Sequence, residues 1–307
     1  MNVPSPPPYL AGVEAGGTKF ICAVGGQDGA VLAETRFPTT TVDETLSRAV
    51  EFFKEQDRAL GRLDAIGVAS FGPVDLRPDS DRYGFILSTP KPGWSDTDIV
   101  GAFRQAFDVP VGFDTDVNGA ALGEWRWGAA RGLGTFIYLT IGTGIGGGGL
   151  VNGELMHGLL HPEMGHIPLP HDREQDPFDG ICPFHGDCFE GLASGPALEA
   201  RWGRKPEQLP PDHPAWELEA NYVALALRTC ICTLSPERIV LGGGVMGHPR
   251  LLPRVRERTQ AALNGYIRSP QILERIEAYI VPPTLADRSG VLGAFVLAEQ
   301  ALKQEKG

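Results

Sequence analysis

Four side chains between residues 166 and 188 have the types and spacing of a metal site. His166 follows a glycine, and Cys182, His185 and Cys188 form the pattern C-x2-H-x2-C. Two imidazoles and two thiolates make up the tetrahedral donor set that zinc prefers, and short loops between such ligands are usual. Because protein atoms would fill all four positions, the pattern predicts a structural zinc site and not a catalytic one.

The other cysteines favour a reduced protein. The chain has five cysteines, which is an odd number. They cluster around histidine and are not spaced along the chain as disulfide-bonded cysteines are, which is typical of thiolate ligands in a reducing cytosol. Cys22, Cys230 and Cys232 lie in apolar runs and are predicted to be core residues. A cysteine hydrolase using Cys188 and His166 is an alternative, but a thiol near three other zinc donors is better explained as a ligand.

Two glycine-rich turns are candidates for phosphate binding. Residues 14–19 (EAGGTK) lie between two predicted strands, and residues 141–149 stand at the matching place in the second half. Glycines let backbone N–H groups approach an anion, and Thr18 or Lys19 could add donors. Neither turn fits the P-loop pattern, and each alone could be a plain tight hairpin. As a pair, with a third glycine cluster at 242–244, they predict a nucleotide cleft between two lobes.

A carboxylate after the predicted strand 109–113 is a candidate base. Asp114 and Asp116 follow that strand, and an Ala/Leu-rich helix is predicted to begin at Gly119. Enzymes with α/β folds often place a base at a strand end beside a helix N-terminus. The alternative is that either aspartate is simply a helix N-cap, and position alone does not decide between the two.

The pattern of apolar residues predicts that the order β-β-β-α-β-α-β occurs twice, which is an α/β fold with mixed sheets. The predicted strands cover residues 9–15, 19–25, 30–37, 65–71, 109–113, 135–140, 149–155, 238–241 and 279–281. The predicted helices cover residues 43–60, 97–107, 215–234, 249–263 and 290–303, besides the helix from residue 119. The glycine run 142–149 is predicted to be a turn.

Composition narrows the class of partner. The 307-residue chain has a formal charge of −11 and no run rich in Lys or Arg, which argues against nucleic acid or an anionic membrane as a partner and favours a small molecule. No window reaches 18 uninterrupted apolar residues, so we expect a soluble protein. Residues 1–8 lack the features of a signal peptide and predict a flexible, proline-rich tail on a cytoplasmic protein.

Four short runs are distinctive in combination: EAGGTKF at residues 14–20, SFGPVD at 70–75, TPKPGW at 89–94 and HPEMGH at 161–166. They resemble the ROK family of sugar kinases over nearly the whole chain, and within it the bacterial fructokinases. The resemblance implies a two-lobed actin-like ATPase (ribonuclease H-like) fold with a duplicated core and a zinc-binding insertion. It also implies a homodimer that uses Mg²⁺ and ATP to phosphorylate a hexose, fructose first, with glucose or mannose as alternatives.

The resemblance also implies a domain layout and residue roles. The layout is a tail at 1–8, lobes at 9–125 and 126–288, a zinc loop at 161–191, and a C-terminal helix at 289–307 packed back on the first lobe. Asp116 would be the general base. The implied sugar contacts are Gly72, Pro73, Asn118, Glu163, His166 and Glu190. The implied ATP contacts are Gly16, Gly17, Thr18, Lys19, Thr143, Gly144, Gly242, Gly243 and Gly244. His166 would bind zinc through one ring nitrogen, which fixes the other as a donor.

The sequence differs from the usual family pattern at two places, and the family also allows one alternative function. Many members of the family have Asp where this chain has Glu14, which leaves the role of Glu14 toward Mg²⁺ open. The commoner zinc pattern in the family is C-x-C-x4-C, so His185 replaces a thiolate, and zinc accepts either donor. The alternative function is that of a sugar-responsive transcriptional repressor, since the family includes such proteins, which carry an N-terminal helix-turn-helix domain. The repressor function is disfavoured here because the first glycine hairpin begins at Glu14.

Overall fold

The computed structural model describes residues 7–306, and the chain divides into two compact units. Unit 1 holds the chain up to Arg131, the short segment His157–His161, and the chain from Thr284 onward. Unit 2 holds Gly132–Met156 and Pro162–Pro283. The predicted tail at residues 1–8 lies outside the described residues except for its last two prolines. The return of His157–His161 to unit 1 is a feature that the sequence did not predict.

Unit 1 is built on a five-stranded sheet with the order β3-β2-β1-β4-β7. Strand β1 pairs antiparallel with β2 and parallel with β4, and β4 pairs parallel with β7. The elements are β1 (Leu10–Ala15), β2 (Lys19–Gly25), β3 (Val31–Pro38), α1 (Val42–Leu60), β4 (Ala65–Ser70), β5 (Phe85–Ile86), β6 (Thr97–Asp98), α2 (Ile99–Ala106), β7 (Val111–Thr115) and α3 (Asp116–Trp127).

Unit 2 repeats this plan, with the sheet order β10-β9-β8-β11-β12. Its elements are β8 (Phe136–Ile141), β9 (Ile145–Val151), β10 (Glu154–Leu155), α4 (Phe189–Ala193), α5 (Gly195–Trp202), α6 (Ala215–Leu234), β11 (Arg238–Gly242), α7 (Leu251–Leu263), α8 (Pro270–Leu273), α9 (Ile276–Tyr279) and β12 (Ile280–Val281). In both sheets the first three strands are antiparallel and the next two join in parallel. The predicted duplication of the core is therefore confirmed.

The last helix, α10 (Ser289–Lys306), belongs to unit 1 and packs on α3, β1 and β4. Glycines permit the close approach. A Cβ at Gly293 would lie 1.6 Å from the carbonyl oxygen of Gly119 in α3, and one at Gly67 would lie 1.8 Å from that of Ala294. Strand β4 is buried along its whole length, as expected for a parallel strand covered on both faces. Among the described residues, no helix has the length and apolar composition that a membrane crossing requires.

Two element predictions were wrong for identifiable reasons, and a third was displaced by two residues. Most of the glycine run 142–149 lies in strand β9 and not in a turn, because those glycines are demanded by packing: a Cβ at Gly147 would lie 2.6 Å from Leu139. Helix α3 begins at Asp116 and not at Gly119, since the Thr115 hydroxyl caps it by accepting from Asn118 N–H. The helix predicted at 249–263 begins at Leu251, after the 3₁₀ turn Val245–Gly247 that follows the third glycine cluster.

Candidate functional site

The carboxyl ends of three neighbouring strands meet at one edge of the unit 1 sheet. The strand register places Ala15, Ser70 and Thr115 side by side at the ends of β1, β4 and β7. The residues that follow them are the first glycine hairpin, the Gly72–Pro73 turn and Asp116. The structure therefore brings together the predicted base, part of the predicted sugar contacts and the first phosphate hairpin, at the edge where α/β proteins place their ligands.

Asp116 is the first residue of α3, and its half-buried carboxylate accepts a hydrogen bond from Val117 N–H at 2.8 Å. Burial raises its pKa to about 6, although backbone hydrogen bonds from Val117 and from its own amide act in the opposite direction. A carboxyl group with this pKa is ionised at neutral pH and still basic enough to accept a proton. The N-cap alternative is wrong for both aspartates, because Thr115 fills that position.

Asp114 has a different task from Asp116. Its buried carboxylate accepts hydrogen bonds from Thr115 N–H at 2.8 Å and from the Asn118 amide at 2.7 Å, and it lies 2.9 Å from Nε2 of His157. Asn118 is itself buried, so its amide is held in place by Asp114. The sequence signalled Asn118 but neither the role of Asp114 nor that of His157.

The first glycine hairpin is closed by Gly16 N–H, which donates to Lys19 O at 3.0 Å. Thr39, the residue after β3, supports it, because its hydroxyl donates to Gly16 O at 2.6 Å and its N–H donates to Thr18 O at 2.9 Å. Nothing lies within 4 Å of a Cβ built on Gly17, and the side chains of Thr18 and Lys19 are exposed. The turn thus offers an open, cationic surface to an anion.

Glu14 lies just before that hairpin. Its carboxylate accepts a hydrogen bond at 3.1 Å from Val291 N–H in the first turn of α10, and Gly290 leaves room for it. Its pKa is raised to about 7, first by burial and second by the negative charge of Asp116, while Lys19 acts in the opposite direction. A buried acid beside a second acid is a place where a bound cation would relieve unfavourable charge.

The second hairpin, in unit 2, joins β8 to β9 through Gly142–Gly144. Gly142 N–H donates to Gly144 O at 2.9 Å, and Ile145 N–H donates at 2.8 Å to the carboxylate of Glu190 on α4. Gly195 N–H donates at 2.7 Å to Gly142 O, which ties the start of α5 to the same turn. The exposed Thr143 stands at the tip.

The third glycine cluster lies beside this second hairpin. Gly243 has a φ of +96°, and a Cβ there would lie 2.2 Å from Ile141 O at the end of β8. The side chain of Val245 approaches the Cβ position of Gly195 within 3.8 Å. The glycines at 142, 144, 195 and 242–244 therefore lie together in unit 2.

The four predicted metal ligands converge in unit 2. One ligand atom from each of His166, Cys182, His185 and Cys188 lies within 4.8 Å of the others. Nδ1 of His166 is 3.7 Å from Sγ of Cys182 and 3.6 Å from Sγ of Cys188, and Nδ1 of His185 is 3.6 Å from Sγ of Cys182. Donors bound tetrahedrally at zinc distances lie about 3.3–3.8 Å apart, and these three separations match that spacing, so the cluster is suited to hold zinc.

The loop that carries these ligands has its own scaffold. Cys182 and Gly186 exchange backbone hydrogen bonds of 3.1 and 2.9 Å, which closes a tight turn around His185. Asp187, next to Cys188, is held by the buried His171 at 3.0 Å. The other ring nitrogen of His171 lies 2.9 Å from the backbone oxygen of Asp176, a buried aspartate that Arg201 and the hydroxyl of Tyr222 also contact. No local pattern in the sequence indicates this network.

The remaining predicted sugar contacts lie on both units. Gly72 and Pro73 are joined by a cis peptide bond in unit 1. Glu163 is exposed in unit 2, and its carbonyl oxygen accepts from His166 N–H at 3.0 Å in a 3₁₀ turn. The orientation of His166 toward the thiols through Nδ1 leaves Nε2 for a second hydrogen bond.

Comparisons with known proteins identify the family of the chain. The ROK family model matches residues 10–301. A putative fructokinase of Bacillus subtilis (strain 168) is 47% identical over 296 residues, covering 96% of this chain and 97% of the relative. A fructokinase of Zymomonas mobilis subsp. mobilis is 47% identical over 290 residues, with 93% and 95% covered. The crystal structure of a ROK hexokinase from Thermus thermophilus superposes with a TM-score of 0.78 at 28% identity, covering 97% of this chain and all of that one.

Proposed function

We propose that this chain, which belongs to the ROK family, is an ATP-dependent fructokinase that converts D-fructose to fructose 6-phosphate. The observation that carries the proposal is the position of Asp116. It lies at the carboxyl edge of the unit 1 sheet, beside an open glycine hairpin, with a pKa of about 6. Two relatives at 47% identity over nearly their full lengths bear the names putative fructokinase and fructokinase, which favours fructose over the glucose and mannose alternatives.

In the proposed reaction, Asp116 takes the proton from the 6-hydroxyl of fructose. The hydroxyl oxygen forms a bond to the γ-phosphorus of ATP while the bond from that phosphorus to the β,γ-bridging oxygen breaks, and ADP leaves. Such transfers require little covalent help from the protein, so positioning and neutralisation of charge dominate catalysis. The backbone N–H groups of Gly16 and Gly17, together with Thr18 and Lys19, would serve the phosphates, as would Thr143 and Gly144.

Magnesium would enter with ATP and would neutralise phosphate charge when bound. Glu14 is the residue of this chain that suits a nearby cation, because burial and the charge of Asp116 both disfavour its ionised form. We propose that it faces the cation, directly or through water. Its hydrogen bond from Val291 N–H fixes the carboxylate in that place without any metal.

Zinc would be held by His166, Cys182, His185 and Cys188, where it would supply structural cross-linking of the loop. With Nδ1 of His166 directed at the thiols, Nε2 would carry a hydrogen and donate to a sugar hydroxyl. Gly72, Pro73, Asn118, Glu163 and Glu190 would complete the sugar site, and Gly242, Gly243 and Gly244 would border the nucleoside. A homodimer and a cytoplasmic location stay predictions.

The test is an assay of ADP release, coupled to a dehydrogenase, over a panel of fructose, glucose, mannose and N-acetylated hexosamines with Mg·ATP. The proposal expects fructose to give the highest kcat/KM. Higher kcat/KM for glucose or mannose would replace the assigned sugar but keep the kinase, whereas absence of sugar-dependent ADP release would reject a kinase altogether.

A further inference from the structure

The segment His157–His161 leaves unit 2 and joins unit 1, while the chain on both sides of it belongs to unit 2. The three residues between the two histidines are exposed, and the side chain of Leu159 is 88% exposed. Burial of apolar surface therefore contributes little to holding this segment in place. Polar contacts must therefore hold the segment, and His157 and His161 each make one such contact.

The first contact joins His157 to Asp114. Nε2 of His157 lies 2.9 Å from Oδ2 of Asp114, and because a carboxylate only accepts hydrogen bonds, the imidazole is the donor. The other oxygen of Asp114 accepts from Thr115 N–H and from the amide of Asn118. His157 thus completes the partners of the carboxylate that holds the first turn of α3, where Asp116 lies.

The second contact joins His161 to the turn after β4. Val74 N–H donates to Nε2 of His161 at 3.1 Å, so this nitrogen must be unprotonated. The imidazole also lies against Gly72, where an added Cβ would be 3.4 Å from the ring. His161 therefore fixes the position of Gly72 and Pro73, two of the residues assigned to the sugar.

We infer that His157 and His161 are positioning residues of the sugar site, which hold the segment between them against the two elements of unit 1 assigned to fructose. The inference rests on the proposed function. Neither histidine has to touch the sugar: His157 acts through Asp114 on Asn118 and on the turn that carries Asp116, and His161 acts through the backbone at Val74 on Gly72 and Pro73.

Two substitutions at each position separate the hydrogen bond from the bulk of the ring. His157→Phe and His161→Phe keep a ring of similar size and remove the hydrogen bond. His157→Gln keeps a donor for Asp114, and His161→Gln keeps an acceptor for Val74 N–H. Leu159→Ser, in the exposed middle of the same segment, is the matched control. For each variant, KM for fructose, KM for ATP, kcat and the melting temperature are measured.

Loss of a hydrogen bond to a charged or buried partner should raise KM for fructose about tenfold in each Phe variant, while KM for ATP stays within about twofold of the wild type. The Gln variants should recover most of the fructose affinity, and Leu159→Ser should behave as the wild type. Equal increases in both KM values, or Phe variants with an unchanged KM for fructose, would overturn the inference while the kinase assignment stands. A wild-type protein without fructose-dependent ADP release would overturn both.

Discussion

The two glycine hairpins occupy equivalent places in two sheets of the same strand order, yet they are supported in different ways. In unit 1, Thr39 supports the hairpin through its hydroxyl and N–H, and the exposed Lys19 adds a positive charge. In unit 2, the carboxylate of Glu190 supports the hairpin by accepting from Ile145 N–H, and Gly195 N–H adds a backbone contact. A duplicated framework has thus kept its strand order while the side chains around each turn diverged.

The two units also differ in the chemical groups that they carry. Unit 1 carries the ionisable groups suited to proton transfer, Asp116 and Glu14, both with a raised pKa. Unit 2 carries the metal ligands and the larger set of glycines, and the charged group at its turn is the carboxylate of Glu190. Substitutions of Asp116 and of the first hairpin should therefore act first on kcat and on phosphate contacts, and substitutions in the metal loop should act first on stability.

The largest expected effect is that of Asp116→Asn. Without the base, kcat should fall by a factor of about 10² to 10⁴, while the dissociation constant for fructose, measured by calorimetry, should change little. Asp108→Asn, which makes the same charge change at an exposed position of unit 1, is the control. Near-normal kcat in Asp116→Asn would show that another group accepts the proton.

Cys188→Ser should act on unit 2 instead. Replacing one thiolate of the metal set should abolish stoichiometric zinc in elemental analysis and lower the free energy of unfolding by on the order of 4 kcal/mol. KM for fructose should rise with it, because His166 loses its fixed orientation. Cys232 is exposed on α6, so its prediction as a core residue was wrong, and Cys232→Ser should change neither quantity. Wild-type protein that is active and equally stable when free of zinc would contradict the structural role of the site.

The pH dependence of kcat/KM should report the ionisation of Asp116 in unit 1. Asp116 must be unprotonated to act as a base, and its pKa is raised to about 6. Below that pH, kcat/KM for fructose should fall about tenfold per pH unit, and above it kcat/KM should level off. If kcat/KM is flat from about pH 5 to about pH 8, the base of the free enzyme is not a group with this raised pKa.

The smallest effect should come from the support of the first hairpin. Thr39→Val removes the hydroxyl donor to Gly16 O, a loss of about 1 kcal/mol that should raise KM for ATP about fivefold. Thr39→Ser keeps the hydroxyl and should restore ATP affinity. If Thr39→Val raises KM for fructose instead of KM for ATP, this hairpin does not serve the nucleotide.

The sequence predicted the repeated order of strands and helices because each buried strand is a short apolar run, as in β1 and β4. It failed for the second glycine run, since a strand made of glycines has no side-chain alternation to read. The reason for those glycines, close packing of Gly147 on Leu139 and of Gly149 on Phe136, exists only in the folded chain.

Site residues that lie close together along the chain could be predicted from the sequence, and contacts between residues far apart could not. Three of the metal ligands lie within seven residues of each other, so their spacing alone indicates zinc. The contacts of His157 with Asp114 and of His161 with Val74 span 43 and 87 residues, and no local pattern announces them. The raised pKa of Asp116 likewise depends on burial that only the packed fold creates.

Transfer of a phosphoryl group from ATP to the 6-hydroxyl of fructose can be followed by ³¹P NMR of the wild-type reaction. The protein is incubated with Mg·ATP and fructose, and the products are compared with authentic sugar phosphates. A kinase acting at the 6-hydroxyl produces fructose 6-phosphate and ADP in equal amounts. Fructose 1-phosphate, or ADP and inorganic phosphate without any sugar phosphate, would contradict the proposed reaction.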